Sequence, residues 1–506
     1  MTEKPGASSG PKYREVIFSG PFWASSDPRI AGVYGSLTPA AYEPNFVSPR
    51  MYEKYASKNW DADRMGRYID MLLAFGFNAF QASDTFLGYV FAGWGPNPRG
   101  WPARLRALGD YARAQGMHTT LFIWGTAAYD FRTGKYSSSL CPNDPAQREI
   151  LERHWERQAD HAAHFDSIVT HWGDPGGCDR NGCTIQTPQN LHNEILEKCR
   201  ERNPDVESSF SLWMLQSGTH GVWPGYEGPQ TVLDSGVLDA DVTVAVGSSP
   251  AHVPPGAFDP EHVRMITQSG RRAGVWCWYL ADNEMSPSMY VRTTLLKDYF
   301  SSIPTDVFDS LEWHTVEGNT PTLNLHNLYV AGKLMQNPQA DAPAALREYI
   351  AGAFGEENVG AVEEILCALE RIRSGYAGVP ACDAETVHML RDRAGAISIH
   401  DKFEPAFPLP FTPRELAGEV RAQVEAIAAL MEFEAAADEV ERLVREGDKE
   451  QVEEAVRNLP AMQKPTEYLT LLEYSCYLER LQQMKQQWWR ALDHKLAERF
   501  PLYRQK

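Results

Sequence analysis

Short apolar runs alternate with amphipathic segments along the first 320 residues of the chain. Eight runs have the length and composition of strands buried on both faces. They lie at 16–23, 77–83, 118–125, 167–174, 207–215, 241–249, 274–282 and 306–314. Helix patterns with one apolar face separate them, at 61–75, 101–115, 145–164, 190–202, 230–235, 260–272 and 288–300. Because strands that alternate with helices are typical of βαβ units, the pattern predicts a closed (β/α)8 TIM barrel over residues 14–320.

Strand patterns end near Thr320, and helix patterns follow. The predicted fold class is therefore α/β, with a flexible N-terminal tail over 1–13, the barrel over 14–320 and an all-α C-terminal domain over 321–506. Within that domain, Thr412-Pro413-Arg414-Glu415 predicts a capping box at a helix start. A further helix is predicted over 468–489, and the Pro- and Phe-rich segment 401–413 predicts a linker or a loop against the barrel. Gly76, Gly116 and Gly274 are expected to end helices.

The composition of the chain argues against two classes of binding partner, nucleic acids and membranes. The 506 residues carry 48 basic and 67 acidic side chains, a net charge of −19, which argues against nucleic acid. The sequence contains no apolar run of 18 residues, and its N terminus lacks the apolar stretch of a secretory signal. We therefore expect a cytoplasmic protein with no membrane partner, and a homo-oligomer is compatible with the sequence.

Aromatic residues supply the first indication of function. Twelve of the fourteen tryptophans precede residue 320, and several fall at or near the ends of predicted strands. Aromatic faces can stack on the C–H-rich faces of sugars, although tryptophan also fills large cores. With nearby polar side chains, they predict a carbohydrate-binding site. Its predicted residues are Trp23, Asp84, Trp124, His171, Trp172, Trp213, Trp278, Tyr279 and His314.

Carboxylates follow three of the predicted strands. Asp174 follows the fourth strand pattern before a Pro-Gly-Gly turn, Asp282 and Glu284 follow the seventh, and Glu312 lies near the end of the eighth. Catalytic groups of TIM barrels sit at the C-terminal ends of the strands. Glycoside hydrolysis uses one protonated carboxyl and one ionised carboxylate. These four residues are therefore the candidate catalytic groups; Asp282 as a helix N-cap and Glu312 in an ion pair are the alternative interpretations.

The segment LNLHNLYVAGKLMQNPQADAPAALREYIAGAFG (323–355) carries a resemblance to known enzymes. Its turn Asn337-Pro338-Gln339-Ala340-Asp341, after a barrel and before helices, resembles the (β/α)8 glycoside hydrolases grouped around β-hexosaminidases and α-glucuronidases. The resemblance implies a glycosidase fold and a carbohydrate substrate. Substrate-assisted hexosaminidases carry two adjacent acidic residues after strand 4, whereas Pro175 follows Asp174 here. That departure argues against N-acetylhexosamine cleavage. An alternative resemblance is to the retaining barrels whose acid/base leaves strand 4 and whose nucleophile leaves strand 7, although those enzymes usually use glutamates.

Two other functions remain open. The first is a metal-dependent barrel hydrolase or isomerase, with His171, Asp174, Cys178 and Cys183 as ligands; Cys178 and Cys183 could also form a zinc site with His171 and Cys141. Zinc prefers such ligands, but the C-x4-C spacing lies outside the commonest knuckle spacing, and we expect no metal and no cofactor. The second is a catalytically silent carbohydrate-binding barrel, which would keep the tryptophans and need no carboxylate pair.

Overall fold

The computed structural model describes most of the barrel and the helices that follow it. The described residues are 12–18, 62–82, 101–130, 135–137, 140–172, 177–213, 215, 223–248, 259–277, 293–302, 310–315, 321–372 and 383–458.

Eight parallel strands close into a barrel in chain order, with the last strand paired to the first. The strands are β1 (Tyr13–Phe18), β2 (Ala79–Ala82), β3 (His118–Trp124), β4 (Ser167–His171), β5 (Glu207–Ser211), β6 (Thr243–Ser248), β7 (Ala273–Cys277) and β8 (Ser310–Thr315). The residue register, followed once around the barrel, returns to β1 displaced by eight residues, which is the shear of a (β/α)8 barrel. The predicted TIM barrel is confirmed.

Helices follow the strands, as the sequence pattern predicts. They are α1 (Ala62–Ala74), α2 (Trp101–Ala114), α3 (Pro145–Ala162), α4 (Gln186–Arg200), α5 (Pro229–Asp234), α6 (Pro260–Gln268) and α7 (Thr293–Ser302). A short antiparallel hairpin of Ala128–Asp130 and Lys135–Ser137 extends from the end of β3. Apolar faces of these helices pack on the outer faces of the strands, so one continuous core surrounds the barrel.

Helix α8 (Pro321–Gln336) lies in the ring of barrel helices. Gly332 packs so closely on the end of α1 that a Cβ there would lie 2.0 Å from the carbonyl oxygen of Phe75. On its other side α8 contacts α7. The first helix of the predicted C-terminal domain therefore occupies the place of the eighth barrel helix, and the domain boundary at residue 320 stays a prediction.

Helices continue after α8. They are α9 (Ala342–Phe354), α10 (Val359–Ile372), α11 (Ala384–Ala396), α12 (Pro413–Glu446) and α13 (Lys449–Arg457), with a 3-10 turn at Glu356–Asn358. The predicted capping box is present, since Thr412 accepts from the backbone N–H of Glu415 and the Glu415 carboxylate accepts from that of Thr412. The helix predicted over 468–489 lies outside the described residues.

The segment before α12 is a loop that packs against the barrel, as expected. The ring of Phe407 lies 5.1 Å from that of Phe75 at the end of α1 and 5.9 Å from that of Tyr349 on α9. Aromatic contacts of this kind bury much apolar area. The loop therefore joins the later helices to the barrel.

Two of the three predicted glycine caps are confirmed. Gly76 and Gly116 adopt the left-handed backbone that ends helices α1 and α2, with φ values of 95° and 86°. The third prediction is wrong, because Gly274 lies inside β7 and Gly270 supplies the left-handed turn after α6. Within the described part of the chain, no helix has the length and apolarity needed to cross a membrane.

Candidate functional site

Aromatic rings surround a buried histidine at the C-terminal ends of the strands. We call Phe122, Trp124, His171, Trp213 and Trp276 the aromatic cluster. The His171 ring lies 4.9 Å from that of Trp124 on β3 and 5.2 Å from that of Trp276 on β7. Because β4 and β7 are not neighbours in the barrel, the second contact crosses its interior. The cluster therefore fills the barrel interior just below its mouth, where TIM-barrel active sites lie.

Strand geometry explains why the cluster forms. Alternate residues of β3, Phe122 and Trp124, share one face, and their rings lie 5.1 Å apart at 78°. Trp213, just beyond β5, places its ring 4.3 Å from that of Trp276. Nδ1 of His171 lies 3.2 Å from Oγ of Ser211, which holds the imidazole in place. The result is a buried cluster of rings, 1–9% exposed, with one polar group at its centre.

Trp172 lies on the opposite face of β4 from His171. Its indole N–H donates to Oγ1 of Thr170 at 2.8 Å, and Thr170 in turn contacts His192 on α4. The Trp172 ring packs 6.4 Å from that of Trp223 and is 1% exposed. These contacts place Trp172 between the barrel and its helices, outside the aromatic cluster, and its role in substrate binding stays a prediction.

Most of the other predicted site residues fall on undescribed segments. His314 and Glu312 belong to β8, where Glu312 is the register partner of Trp276 on β7 and of Glu15 on β1. Trp124 and Trp213 lie with His171 in the aromatic cluster. The remaining ones lie outside the described residues: Trp23, Asp84, Asp174, Trp278, Tyr279, Asp282 and Glu284.

A polar network, absent from the sequence prediction, fills the barrel interior toward the N-terminal ends of the strands. Glu15 on β1 accepts a hydrogen bond from the hydroxyl of Thr120, which lies 2.8 Å from Oγ of Ser167. Nε2 of His118 lies 3.1 Å from the same Ser167 oxygen. A cavity of about 30 Å³ adjoins these side chains and Gln81. Among the described residues the buried amide of Gln81 has no hydrogen-bond partner, and the cavity has room for a water molecule to satisfy it.

Burial sets the protonation of Glu15. Loss of solvation raises its pKa from 4.5 to about 7, against the opposing effect of the Thr120 hydrogen bond. The sequence prediction missed Glu15 because it began the first strand at Val16. Had the strand been extended by one residue, its alternation of faces would have pointed to Glu15 as a residue of the strand. A raised carboxyl pKa often marks an active site, but this one lies away from the catalytic end of the barrel.

Three cysteines from two loops meet beside the barrel. The sulfurs of Cys141, after β3, and of Cys178 and Cys183, after β4, all lie within 4.8 Å of one another. We call them the cysteine cluster. His171 is not part of it, so a metal shared by these cysteines and His171 is excluded by the geometry. These three cysteines are free thiols, as are Cys199 and Cys367.

Local structure positions these loops. Asp144 caps α3 by accepting from the backbone N–H groups of Ala146 and Gln147, and the Gln147 amide accepts from the Cys141 N–H at 2.7 Å. Cys183 stands shortly before α4, and its N–H donates to the Arg180 carbonyl at 3.0 Å. Both loops therefore lead directly into the N termini of helices α3 and α4.

Comparisons with known proteins identify relatives of the fold. No protein-family model matches the sequence, and no curated protein matches it. Among solved structures, a family 89 glycoside hydrolase from Clostridium perfringens, in complex with 2-acetamido-1,2-dideoxynojirmycin, matches with a TM-score of 0.50 and 10% identity. That match covers 88% of this chain and 52% of the other, so the chain spans about half the length of that enzyme. PbGH5A, a family 5 enzyme from Prevotella bryantii, matches with a TM-score of 0.35 and 14% identity over 55% of this chain and 86% of its own.

The structural neighbours are glycoside hydrolases. At 10% identity, the likeness to the family 89 enzyme shows the fold alone. The narrower group of β-hexosaminidases and α-glucuronidases stays a prediction.

Proposed function

We propose that this protein is a glycoside hydrolase that cleaves a small soluble saccharide or glycoconjugate in the cytoplasm, by paired-carboxylate catalysis at the barrel mouth. The observation that carries the proposal is the aromatic cluster around His171, at the C-terminal ends of β3, β4, β5 and β7. Ring faces bind sugars by stacking, while a central imidazole can bind a hydroxyl. The glycoside hydrolases among the structural neighbours agree with it at the level of the fold.

Asp174 is the proposed general acid. It follows β4, and it stands three residues after His171 in the sequence. In this role its carboxyl protonates the oxygen of the leaving group, while a second carboxylate attacks the anomeric carbon or activates water. The barrel arrangement brings the C-terminal ends of all strands to one mouth, which is the setting that this chemistry needs.

Glu312, Asp282 and Glu284 are the proposed partners of Asp174. Glu312 lies on β8 between two register partners, Trp276 of the aromatic cluster on β7 and Glu15 of the polar network on β1. Asp282 and Glu284 follow β7 in the sequence. The separation of the pair sets the stereochemical outcome, since about 5–5.5 Å favours retention and roughly 6.5–9.5 Å favours inversion.

The direct test is Asp174→Asn in the purified chain. A panel of aryl glycosides and small oligosaccharides identifies a substrate, and turnover is then compared on a substrate with a poor leaving group. Loss of a positioned acid should lower kcat by about 10²–10⁴ and leave sugar binding by the rings largely unchanged. Asp205→Asn is the matched control, because Asp205 is exposed just before β5, at the other end of the barrel.

Two outcomes would contradict the proposal. Near-normal turnover by Asp174→Asn on that substrate would show that another residue is the acid. Saccharide binding without hydrolysis of any glycoside would instead favour the catalytically silent carbohydrate-binding barrel.

A further inference from the structure

The cysteine cluster joins two loops that the sequence separates by 37 residues or more. Cys141 belongs to the loop after β3, whereas Cys178 and Cys183 belong to the loop after β4. All three are buried, at 0%, 2% and 2% exposure. We propose that Cys141, Cys178 and Cys183 bind one zinc ion through their thiolates, at a site distinct from the aromatic cluster.

The sulfur separations fit a shared metal. Sγ of Cys141 lies 3.9 Å from Sγ of Cys183. Zinc–thiolate bonds of about 2.3 Å in tetrahedral geometry place two sulfurs roughly 3.8 Å apart. A disulfide needs about 2.05 Å. The observed separation rules out a disulfide and suits two ligands of one metal ion, and the third sulfur lies within 4.8 Å of both.

The surroundings of the sulfurs also suit a thiolate–metal centre. The Asn181 amide donates to Sγ of Cys141 at 3.4 Å, and the Asn143 amide donates to the Asn181 carbonyl at 3.1 Å. Donors to ligand sulfurs are common around metal thiolates, which they orient and stabilise. Arg180 lies between Cys178 and Cys183 in the chain and interacts with the Cys178 sulfur. Its positive charge offsets the net negative charge that three thiolates leave on a divalent ion.

The turn between Cys178 and Cys183 brings their two sulfurs close together. Asn181 and Gly182 are both left-handed, with φ values of 50° and 71°. This turn brings the sulfurs of Cys178 and Cys183 to the same side despite the C-x4-C spacing. Soft sulfur ligands in a tetrahedral arrangement select zinc over magnesium or calcium. Within the described residues, the cluster supplies three side-chain ligands, which leaves a fourth position for solvent or for another donor.

Such a site would stabilise the segment that carries Asp174. Asp174 precedes Cys178 by four residues. A metal bound by all three cysteines would tie the loop after β4 to the loop after β3. It would also stabilise the folded chain, because a ligand that binds only the folded state adds to its free energy of unfolding. The ion is thus assigned a structural role, outside the carboxylate chemistry proposed for the barrel mouth.

Metal analysis of the full chain tests the proposal without an assay of turnover. Protein purified under reducing conditions and equilibrated with Zn²⁺ should retain about one zinc per chain after desalting. Removal by a chelator should lower the thermal midpoint, and added Zn²⁺ should restore it. Cys141→Ser, Cys178→Ser and Cys183→Ser should each lose most of the zinc, whereas Cys367→Ser, outside the cluster, should keep it.

Two further measurements test the zinc site even if a cysteine variant fails to fold. Asn181→Gly keeps the left-handed turn and removes the donor to Cys141, so zinc affinity should fall by about 10–100-fold. Co²⁺ bound in place of zinc by the wild-type chain should show the sulfur-to-cobalt charge-transfer absorption of thiolate ligands.

Three results would overturn the zinc site. The first is a reduced, folded chain that takes up no Zn²⁺. The second is zinc retained to the same extent by the three cluster variants as by Cys367→Ser. The third is Co²⁺ binding without thiolate charge transfer, which would place the metal elsewhere.

Discussion

The two ends of the barrel interior are both buried, yet their side chains differ in kind. Toward the N-terminal ends, Glu15, Thr120 and Ser167 form a hydrogen-bonded network around a small cavity. Toward the C-terminal ends, rings such as Trp124 and Trp276 surround His171. The first end is a network of hydrogen-bonding side chains, whereas the second is a buried cluster of rings beneath the mouth.

This difference shows that burial and a shifted pKa do not by themselves identify a site. Glu15 has both, but its partners and its position toward the N-terminal ends of the strands make it part of the barrel's structure. The aromatic cluster lacks a described carboxylate, but it lies where barrel chemistry takes place. Position in the fold, together with partners, therefore decides which group is the better functional candidate.

Of the substitutions suggested by this comparison, we expect one at Trp276 to lower the free energy of unfolding most. Trp276→Ala should cost about 3–5 kcal/mol of unfolding free energy, because it leaves a cavity beside His171 and Trp213. Trp276→Phe keeps a ring, so the fold should survive while the sugar-binding face shrinks. We expect denaturant unfolding to show a smaller loss for Trp276→Phe, and steady-state kinetics to show a raised KM.

The control for Trp276 is a tryptophan of the outer core. Trp155 on α3 is fully buried and donates to the Gly125 carbonyl at 3.2 Å. Trp155→Phe should lower stability through the lost hydrogen bond and leave KM unchanged. If Trp276→Phe and Trp155→Phe behave alike in kinetics, the aromatic cluster is only core.

The barrel could be predicted from the sequence, because strands buried on both faces are short apolar runs that can be recognised in one sequence. The side chains that meet in the candidate functional site were harder to predict from the sequence. His171 and Trp172 are adjacent in sequence, and strand alternation sends them to opposite faces, so only His171 reaches the interior. Glu15 was not predicted, because its hydrogen-bond partner Thr120 is far away in sequence. The meeting of Cys141 with Cys178 and Cys183 is likewise a product of the closed barrel, which brings successive loops together.

The second effect concerns the pH dependence of stability at Glu15. Its folded pKa of about 7 lies above its ordinary value of 4.5, so the folded state binds the proton more tightly. The wild-type chain should therefore lose stability as pH rises from about 4.5 to about 7, by a total on the order of 3 kcal/mol. Glu15→Gln removes this titration. Denaturant unfolding between pH 5 and 8 should show a flatter profile for the variant and greater stability than wild type at pH 8.

Glu207→Gln is the matched control for that profile. Glu207 lies at the start of β5, and Arg272 and Lys12 lower its pKa more than partial burial raises it. A carboxyl with a lowered pKa stabilises the fold above its unfolded pKa and loses that contribution as pH falls. Glu207→Gln should thus remove stability at neutral pH and not at acid pH, opposite in sign to Glu15→Gln. Identical profiles for the two variants would refute the assignment of the pH dependence to Glu15.

The smallest effect is expected at the rim of the N-terminal end. Nζ of Lys12 lies 3.7 Å from the Glu207 carboxylate, and its side chain is 53% exposed. Exposed ion pairs contribute about 0.2–1 kcal/mol, and salt screens them. Lys12→Gln should therefore lower stability slightly at low ionic strength, and the difference from wild type should vanish in about 1 M salt. Turnover should not change, because the substitution lies at the opposite end from the aromatic cluster. A fall in kcat comparable with that of Asp174→Asn would mean that the two ends of the barrel are not functionally separate.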